Sequence, residues 1–391
     1  MKSGWQIKKL GDLCEIELGK TPARANKAFW DEKRETGNVW LSIADLLNAK
    51  GNIVADSKEY LSDKGAAISK TVRKGTLLAS FKLTLGRLAF AGRDLFTNEA
   101  IAALTLLNER EMSKEFLFHF LQFFDWRKAA ENDVKLKGMT LNKAKLKEMP
   151  VHFPSPAEQQ RIVGILDEAF EGIATAKANA EKNLQNSRAI FESHLHSVFT
   201  QRHKGWIEKP LGEVCEYLNG KAHEQCIDKD SRFIVINSKF ISSEGVVFKR
   251  SNEALLLLRP DDIAMVLSDV PKGKALAKCF LVEEANTYTL NQRICLIRSK
   301  AFHIKFLFYQ LNRNRHFLAF DNGENQTNMR LNQVLSCPLF LPTMPEQKII
   351  AERLDSLKEE TQRLESIYQR KIAALDELKK SLLHQAFTGE L

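Results

Sequence analysis

The chain has 391 residues, of which 44% are hydrophobic and 27% are charged, a balance typical of a globular protein with two or three domains. No apolar run is long enough to cross a bilayer, and the first residues lack the apolar core of a signal peptide, so we expect a cytoplasmic protein. The formal net charge of +9 favours a polyanionic partner, nucleic acid above all.

The six cysteines form no CxxC pair, and reduced thiols are therefore expected. Cys14 and Cys215 stand at equivalent positions of an internal repeat. We expect both side chains to belong to a hydrophobic core rather than to act as reactive thiols.

Residues 1–153 are predicted to form a domain of mixed helices and strands. Strands are expected at 38–43, 74–81 and 101–107, where apolar residues follow turn signals. An apolar helix is expected to begin at Glu115, and its phenylalanines and leucines are typical of a core rather than of a ligand site.

A long helix is predicted within residues 154–204. Pro154 and the pair Glu158-Gln159 mark its start, and the apolar pattern continues to Thr200. This segment connects the first globular domain to a second one.

Residues 205–341 are predicted to form that second mixed domain. Strands are expected at 233–236, 263–267 and 293–297, and a second apolar helix at 305–311.

The last segment, 342–391, carries apolar residues at alternating three- and four-residue steps, the period of a coiled-coil seam. At about 1.5 Å per residue, roughly 40 helical residues make a rod of about 60 Å. We expect this helix to pair, antiparallel, with the helix of 154–204. The residues predicted to pair are Leu166, Ile173, Ala176, Ala180, Ile190, Leu354, Leu357, Leu364, Leu375, Leu378 and Leu382.

A globular segment followed by a helix occurs twice in the chain. Pro154 and Pro342 are 188 residues apart, and so are Thr200 and Thr388, which predicts two helices of equal length. Gly19-Lys20 returns as Gly220-Lys221, 201 residues later, so the additional residues of the first copy lie in its globular part. The expected architecture is an α+β fold with a pseudo-twofold internal repeat.

The motifs of common enzyme classes are missing from the sequence. No GxG occurs, which excludes the usual dinucleotide loop. Gly19-Lys20-Thr21 lacks the earlier glycine of a phosphate-binding loop, and Pro22 would interrupt the helix that should follow. His194 and His196 are two residues apart on a helix and cannot share a face, so no metal site is expected. We expect a chain that is not an enzyme by itself.

Basic and amide residues cluster in segments of loop character in both globular domains. Such side chains can bond to base edges, while the remaining cations hold phosphates. Their distribution over both domains favours a DNA duplex as partner. The candidate DNA contacts are Lys20, Thr21, Arg24, Lys27, Lys82, Arg87, Lys137, Lys143, Lys221, His223, Lys249, Arg250, Lys272, Lys274, Arg313, Arg315, Asn325, Gln326, Asn328 and Arg330.

Several short motifs follow one another in a fixed order along the chain, and some of them, namely Leu-Gly, Gly-Lys, the asparagines Asn98 and Asn291, and Glu-Gln, occur in both halves. The motifs are Leu10-Gly11, Gly19-Lys20-Thr21-Pro22, Trp40, Asp45, Gly86, Asn98 and Pro154 with Glu158-Gln159, then Leu211-Gly212, Gly220-Lys221, Asn291, Pro342, Glu346-Gln347 and the final Leu383-His384-Gln385-Ala386-Phe387-Thr388-Gly389. On these residues the chain resembles the specificity subunit of a type I restriction-modification system over essentially its full length.

The resemblance implies two target-recognition domains, 1–153 and 205–341, and two long antiparallel coiled-coil helices, 154–204 and 342–391. It implies that the chain reads an asymmetric, interrupted sequence of double-stranded DNA. It also implies partners: two methyltransferase subunits, which bind S-adenosylmethionine and modify adenine N6, and two motor-nuclease (restriction) subunits. Neither a cofactor nor a catalytic residue is expected in this chain.

Two other functions fit parts of the sequence. A tandem adaptor could use the paired helices to bind proteins, with no specific DNA binding. A diverged enzyme with an unrecognised site is the third alternative, and the missing motifs disfavour it.

Overall fold

The computed structural model describes residues 4–49, 51–131, 134–135, 138–200, 205–271 and 273–391. The chain divides into two compact units: unit 1 is Met1–Glu181 with Arg370–Leu391, and unit 2 is Lys182–Gln369. Each unit contains a globular part and portions of two long helices. The predicted α+β class, with two mixed-sheet domains and two long helices packed together, is confirmed.

The globular part of unit 1 contains twelve described strands and six described α-helices. The strands are β1 (Gln6–Lys9), β2 (Cys14–Leu18), β3 (Val39–Leu41), β4 (Ile53–Val54), β5 (Glu59–Tyr60), β6 (Leu77–Ser80), β7 (Leu88–Ala91), β8 (Phe96–Thr97), β9 (Ile101–Leu106), β10 (Val134–Lys135), β11 (Gly138–Met139) and β12 (Pro150–Phe153). The helices are α1 (Leu10–Leu13), α2 (Ile43–Leu47), α3 (Asp63–Ala67), α4 (Lys114–Phe123), α5 (Trp126–Ala129) and α6 (Lys143–Glu148).

A five-stranded sheet in the order β2-β9-β6-β7-β4 forms the centre of unit 1. Only the β4–β7 pair in it is parallel. A three-stranded sheet, β5-β3-β8, lies beside it, while β1 pairs with β12 and β10 with β11. The apolar helix α4 packs on the five-stranded sheet, because Phe116 and Phe118 share one core cluster with Ile16 and Leu104. The predicted role of α4 in the core is confirmed.

The long helix that follows is α7 (Pro156–Thr200), which contributes to both units. The globular part of unit 2 then contains β13 (Ile207–Pro210), β14 (Glu216–Asn219), β15 (Phe233–Ile236), β16 (Lys249–Ser251), β17 (Ile263–Val266), β18 (Ser268–Asp269), β19 (Cys279–Leu281), β20 (Tyr288–Leu290), β21 (Ile294–Arg298), β22 (Thr327–Asn328) and β23 (Pro338–Leu341). Its helices are α8 (Leu211–Val214), α9 (Ser238–Ser242), α10 (Ile304–Leu311), α11 (Arg315–Leu318) and α12 (Leu331–Leu335), and the chain ends in the second long helix, α13 (Met344–Thr388).

Unit 2 repeats the layout of unit 1 with fewer strands. Its main sheet has the order β14-β21-β17-β19 and is antiparallel throughout. A three-stranded sheet, β16-β15-β20, accompanies it, and the pairs β13–β23 and β18–β22 complete the unit. Helix α10 takes the place of α4 and contributes Phe306 and Leu307 to the core.

The two long helices have the same length, 45 residues each, as the equal spacing of their motifs predicted. In unit 1 the beginning of α7 and the end of α13 share a core cluster through Leu166 and Phe387, and Lys177 pairs with Asp376 at 2.6 Å. In unit 2 the later half of α7 meets the first half of α13, where Arg188 pairs with Glu365 at 2.8 Å. The helices therefore run antiparallel in each unit.

The residues predicted to pair the helices differ in burial. Four are buried, namely Leu166, Ile173, Ala180 and Leu354. Five are half-buried, namely Ala176, Leu357, Leu364, Leu375 and Leu382. Most of the predicted stripe is therefore at least partly shielded from solvent.

Ile190 and Leu378 lie outside this stripe, with 48% and 47% of their surface exposed, which corrects the predicted seam at both positions. An α-helix with 3.6 residues per turn drifts by about 20° per heptad from a strict 3.5-residue repeat, so the buried face moves to the next residue. Phe191 and Lys379 are accordingly half-buried. The ammonium of Lys379 lies 4.6 Å from the ring centroid of Phe170, and burial lowers its pKa.

A buried glutamine joins each long helix to its globular part. Gln159 is 0% exposed and accepts a hydrogen bond from the backbone N–H of Ser113 at 2.9 Å. Its amide nitrogen donates to the carbonyls of Glu111 and Pro154 at 2.8 and 3.0 Å. The side chain thus satisfies three backbone groups just before α4 and α7.

Gln347 forms the same junction in unit 2. It is 1% exposed, accepts from the N–H of His303 at 2.7 Å, and donates to the carbonyls of Ala301 and Pro342 at 3.3 and 3.0 Å. The recurrence of Glu-Gln in the sequence therefore reflects a shared buried hydrogen-bond network.

A second junction uses the aspartate found at equivalent positions of the two long helices. Asp167 bonds the ring Nε2 of His119 on α4 at 2.8 Å. Asp355 accepts from the Tyr309 hydroxyl at 2.6 Å and from Lys305 at 2.5 Å on α10. The carboxylate position is shared, whereas its partner is imidazole in unit 1 and phenol with ammonium in unit 2.

The sequence interpretation of two cysteines is confirmed. Cys14 is 2% exposed and Cys215 is half-buried. Burial raises the pKa of each thiol to about 12, which keeps both protonated and poorly nucleophilic near neutral pH.

We predict that Gln159→Ala lowers the free energy of unfolding by about 2–4 kcal/mol, because it leaves the Ser113 N–H and two carbonyls without their partner. Gln160→Ala is the matched control, since Gln160 is exposed on the same turn. Urea unfolding followed by circular dichroism measures both. Equal unfolding midpoints for the two variants would contradict the junction.

We predict a pH dependence of stability in unit 1 that depends on His119. Burial lowers the pKa of His119 from its ordinary value of 6.5, although Asp167 acts in the opposite direction. The neutral ring is favoured in the folded state, so its contribution to stability is complete above about pH 6.5 and is lost as the pH falls through the lowered pKa.

His119→Tyr should remove this pH dependence while keeping a donor for Asp167, as Tyr309 does in unit 2. Hydrogen–deuterium exchange of α4 at pH 7.5 and 5.5, corrected for intrinsic rates, measures the effect. Helix α10 in the same sample is the internal control. An α4 protection that falls equally in wild type and variant would refute the role of His119.

Candidate nucleic-acid interface

In unit 1 the ends of three neighbouring strands meet at one edge of the five-stranded sheet. After β2, Lys20 donates its backbone N–H to the Thr97 carbonyl at 2.8 Å. After β6, Phe81 donates to the Ala100 carbonyl at 3.1 Å. The turn at 98–100 precedes the middle strand, β9, so Lys20 and Lys82 flank it. We call the surface of Lys20, Glu99 and Lys82 the unit 1 edge.

The same arrangement occurs in unit 2. After β14, Lys221 donates its N–H to the Leu290 carbonyl at 2.9 Å, and after β17, Leu267 donates to the Arg293 carbonyl at 3.0 Å. The intervening turn at 291–293 precedes β21. We call the surface of Lys221, Gln292 and Ser268 the unit 2 edge.

Close backbone packing explains the glycine before each lysine. A Cβ atom on Gly19 would lie 2.1 Å from the Thr97 carbonyl oxygen, and one on Gly220 would lie 2.0 Å from that of Asn291. Both distances are far below van der Waals contact, so neither position accommodates a side chain without backbone movement. The repeated Gly-Lys pair thus fixes a lysine at the same place on both edges.

Additional segments extend the unit 1 edge. Lys82 forms an isolated β-bridge with Thr140, and Phe81 accepts a hydrogen bond from Leu141 N–H at 2.9 Å. Gly86 packs against the indole of Trp126, where a Cβ atom would approach Cδ1 to 2.5 Å. These contacts hold the loop at 82–87 and the segment before Lys143 beside the edge.

A β-ribbon extends the unit 2 edge in the corresponding place. Ser268 pairs with Asn328 and Asp269 with Thr327. Gln326 donates from its side chain to the Ser268 hydroxyl at 3.0 Å. The carboxylate of Asp269 accepts from the N–H groups of Ala275 and Leu276 at 2.6 and 3.0 Å and shapes the loop that carries Lys274.

The structure gathers many of the candidate DNA contacts around these two edges. In unit 1 they are Lys20, Thr21, Lys82, Arg87 and Lys143, and in unit 2 they are Lys221, Lys274, Asn325, Gln326, Asn328 and Arg330. Segments that carry lysine, arginine and amide residues from different parts of the sequence thereby lie beside the edge of each unit.

The segment at 313–315 is held against the unit 2 loop. Arg313 donates its backbone N–H to Ala277 at 2.8 Å, and its guanidinium donates to the Leu276 carbonyl at 3.0 Å. That guanidinium therefore supports the loop. Arg315, at the start of α11, is exposed.

The candidate His223 is corrected by its burial. The ring is 1% exposed, with Nδ1 2.7 Å from the Lys221 carbonyl and Nε2 2.9 Å from the Thr289 hydroxyl. A side chain enclosed in this way cannot reach a base edge, and it stabilises the turn behind Lys221 instead.

Arg24 is also engaged within the protein. Its guanidinium carbon lies 4.3 and 4.6 Å from the ring centroids of Trp30 and Trp40, and it forms an ion pair with Glu59. Cation–π contacts and ion pairing hold the arginine in place. The Trp40 indole donates to the Lys20 carbonyl at 3.0 Å and so supports the unit 1 edge from behind.

The other candidates lie elsewhere. Lys27 begins a short 3₁₀ turn in the loop after β2 and is exposed. Lys249 and Arg250 lie on β16, and Arg250 donates to the carbonyls of Ser231 and Arg232, each at 3.1 Å. Lys137 and Lys272 fall outside the described residues.

Sequence reasoning missed Glu99, Gln292 and Arg293, which are exposed on the two edges. The available signal in the sequence is their position, since Glu99 follows Asn98 and Gln292 follows Asn291 at equivalent places of the two halves. Among the described residues, no group of three or more His, Cys, Asp or Glu side chains is arranged to hold a metal ion. No described helix has the length and apolar character of a membrane span.

Comparison with known proteins gives a consistent result. The family model for the type I restriction modification DNA specificity domain matches residues 2–185 and 203–372. The chain is 21% identical to the MjaIX and 22% identical to the MjaVIII type I restriction enzyme specificity subunits of Methanocaldococcus jannaschii. Each alignment covers 99% of this chain and 93% of the relative.

Two solved structures share the fold, both at 17% identity. One comes from a study of complex assembly and conformational transition of the type I R-M system, with a TM-score of 0.78 over 100% of this chain and 99% of the other. The other is the HsdS subunit from Thermoanaerobacter tengcongensis, with a TM-score of 0.61 over 100% and 98%. Because the family model covers most of the sequence, the chain belongs to the type I restriction-modification specificity family and is the DNA specificity subunit of such a system.

Proposed function

We propose that the unit 1 and unit 2 edges are the DNA-contacting surfaces, and that each reads one half of a bipartite duplex target. The observation that carries this proposal is the repeated Gly-Lys segment, locked against an Asn turn at the same edge of both main sheets. Lysine and arginine on these edges would hold phosphates, while the amides and hydroxyls between them would contact bases.

The two half-sites would differ in sequence because the two edges differ in their side chains. Beside its lysines, the unit 1 edge has Glu99 and the loop with Arg87. The unit 2 edge has Gln292 and a β-ribbon that presents Gln326 and Asn328. Different donors and acceptors on one scaffold would recognise different base pairs, which makes the complete target asymmetric.

Catalysis in such a system lies in the methyltransferase and restriction subunits, and the specificity subunit supplies recognition. We propose that this chain recruits two methyltransferase subunits, which bind S-adenosylmethionine and modify adenine N6, and two motor-nuclease subunits. The related structure described as a type I R-M complex supports assembly of this kind. A DNA target and six free cysteines fit a cytoplasmic location.

A methylation map of host DNA tests the proposal, measured by single-molecule sequencing with the gene present and deleted. We expect one bipartite N6-methyladenine motif to disappear on deletion. If the map is unchanged and the purified chain shows no sequence preference for duplex DNA, the recognition role is wrong and an adaptor role would take its place.

We predict that Lys20→Ala and Lys221→Ala each weaken duplex binding and reduce the slope of log affinity against log salt by about 1, because each lysine would release counterions from one phosphate. Arg110→Ala and Lys300→Ala are the matched controls. Both residues are exposed. Arg110 follows the C-terminal end of β9 and Lys300 follows that of β21, whereas the two edges lie at the N-terminal ends of these strands.

Fluorescence anisotropy of a labelled duplex over a series of salt concentrations measures the four slopes. Slopes that decrease equally in the controls would mean that charge anywhere on the unit matters, and would contradict the assignment of the edges.

A further inference from the structure

Two residues of different chemistry occupy the same place on the two edges. In unit 1 the N–H of Ala100 bonds the Asn98 side chain at 3.1 Å, and the N–H of Ile101 bonds the Asn98 carbonyl at 3.2 Å. In unit 2 Arg293 and Ile294 bond Asn291 in the same way, at 3.3 and 3.0 Å. The residue after each asparagine, Glu99 or Gln292, is therefore at the tip of the same turn.

The surrounding backbone fixes these tips firmly. Asn98 donates its N–H to Leu41 of β3 at 2.9 Å, and Asn291 donates to Ile236 of β15 at 3.1 Å. The Gly-Lys segment closes the other side, at a distance that excludes a Cβ atom. The turn is bonded from both sides, so an exposed side chain at its tip projects from an anchored backbone beside a lysine.

The chemistry of Glu99 is unexpected for a surface that holds phosphates. Partial burial by itself would raise the pKa of the Glu99 carboxyl, but the hydrogen bond that it accepts from the Thr21 hydroxyl and the nearby cations Lys82 and Arg24 lower that pKa. A carboxylate is repelled by phosphates, but on a surface that contacts bases it can accept from a base amino group. A carboxylate has about four acceptor sites, so the bond from Thr21 leaves capacity for a base.

Gln292 is neutral and, unlike Glu99, carries a donor as well as an acceptor. Its side-chain nitrogen donates to the carboxylate of Glu224 over 3.4 Å, a long contact that constrains the amide weakly. An amide can both donate and accept, the pattern that matches adenine in the major groove, whereas a carboxylate matches the amino group of cytosine.

We propose that Glu99 and Gln292 are the specificity-determining residues at equivalent positions of the two half-sites, with Glu99 accepting from cytosine N4 and Gln292 binding adenine through N6 and N7. This inference rests on the proposed function of the edges and names one base contact on each. Neither residue takes part in catalysis.

The decisive variant is Glu99→Gln, because glutamine has the same shape and can still accept from Thr21 but lacks the negative charge. We expect the preference for cytosine at one base pair of one half-site to change by about 10-fold, with the other half-site unchanged. Non-specific binding should become tighter, since a negative charge facing phosphates is removed. Gln292→Met should weaken the base preference at one base pair, and only in the other half-site.

Glu109→Gln is the matched control, since it makes the same change at an exposed carboxylate beyond the other end of β9. We expect it to retain the base preference. If Glu109→Gln changes the same base pair as Glu99→Gln, the effect follows from the charge of the unit rather than from a base contact, and direct reading is overturned.

The experiment replaces the gene in its host by each variant and maps N6-methyladenine. A motif altered at one base pair supports the inference, and a Glu99→Gln motif identical to wild type overturns it. If a variant loses methylation altogether, the purified full chain is titrated with duplexes that differ at single base pairs, and an unchanged preference overturns the inference. A wild-type chain that produces no bipartite motif would instead refute the proposed function itself.

Discussion

A buried glutamine with three backbone partners connects each long helix to its globular part. Gln159 and Gln347 are enclosed, and the amide of each bonds to one backbone N–H and two backbone carbonyls. An unsatisfied buried polar group costs about 1–3 kcal/mol, and loss of the amide would leave three backbone groups without their partner at once. The junction thereby sets the direction in which the helix leaves its globular part.

In the second junction the aspartate is common to the two units, whereas its hydrogen-bond partners differ. About two turns further along each long helix there is an aspartate. Asp167 bonds to His119 in unit 1, and Asp355 bonds to Tyr309 and Lys305 in unit 2. The same carboxylate position therefore accepts from donors of different chemistry in the two units. The consequence for pH is different, since only the imidazole titrates near neutrality.

The same separation of scaffold and content applies to the two sheet edges. The contacts that build each edge are mainly backbone hydrogen bonds and the close approach of a glycine, so they tolerate a change of neighbouring side chains. The side chains that point outward, such as Glu99 and Gln292, make few contacts within the protein. A chain built in this way can keep one architecture in both halves and present different chemistry in each, which is what the proposed recognition of an asymmetric target requires.

The sequence by itself determined the repeat, the fold class, the equal lengths of the long helices and most of the central strands, because periodic apolar residues and paired motifs record local constraints directly. It also identified Gly-Lys, Asn98 and Asn291 as equivalent landmarks, but not that they meet. Only the tertiary structure decided that His223 is enclosed, that the Arg24 guanidinium lies against two indole rings, and that Ile190 and Leu378 have turned out of the seam. Burial and partnership of a side chain depend on strands that are distant in sequence, and a one-residue drift of a helical face depends on accumulated geometry that no local pattern records.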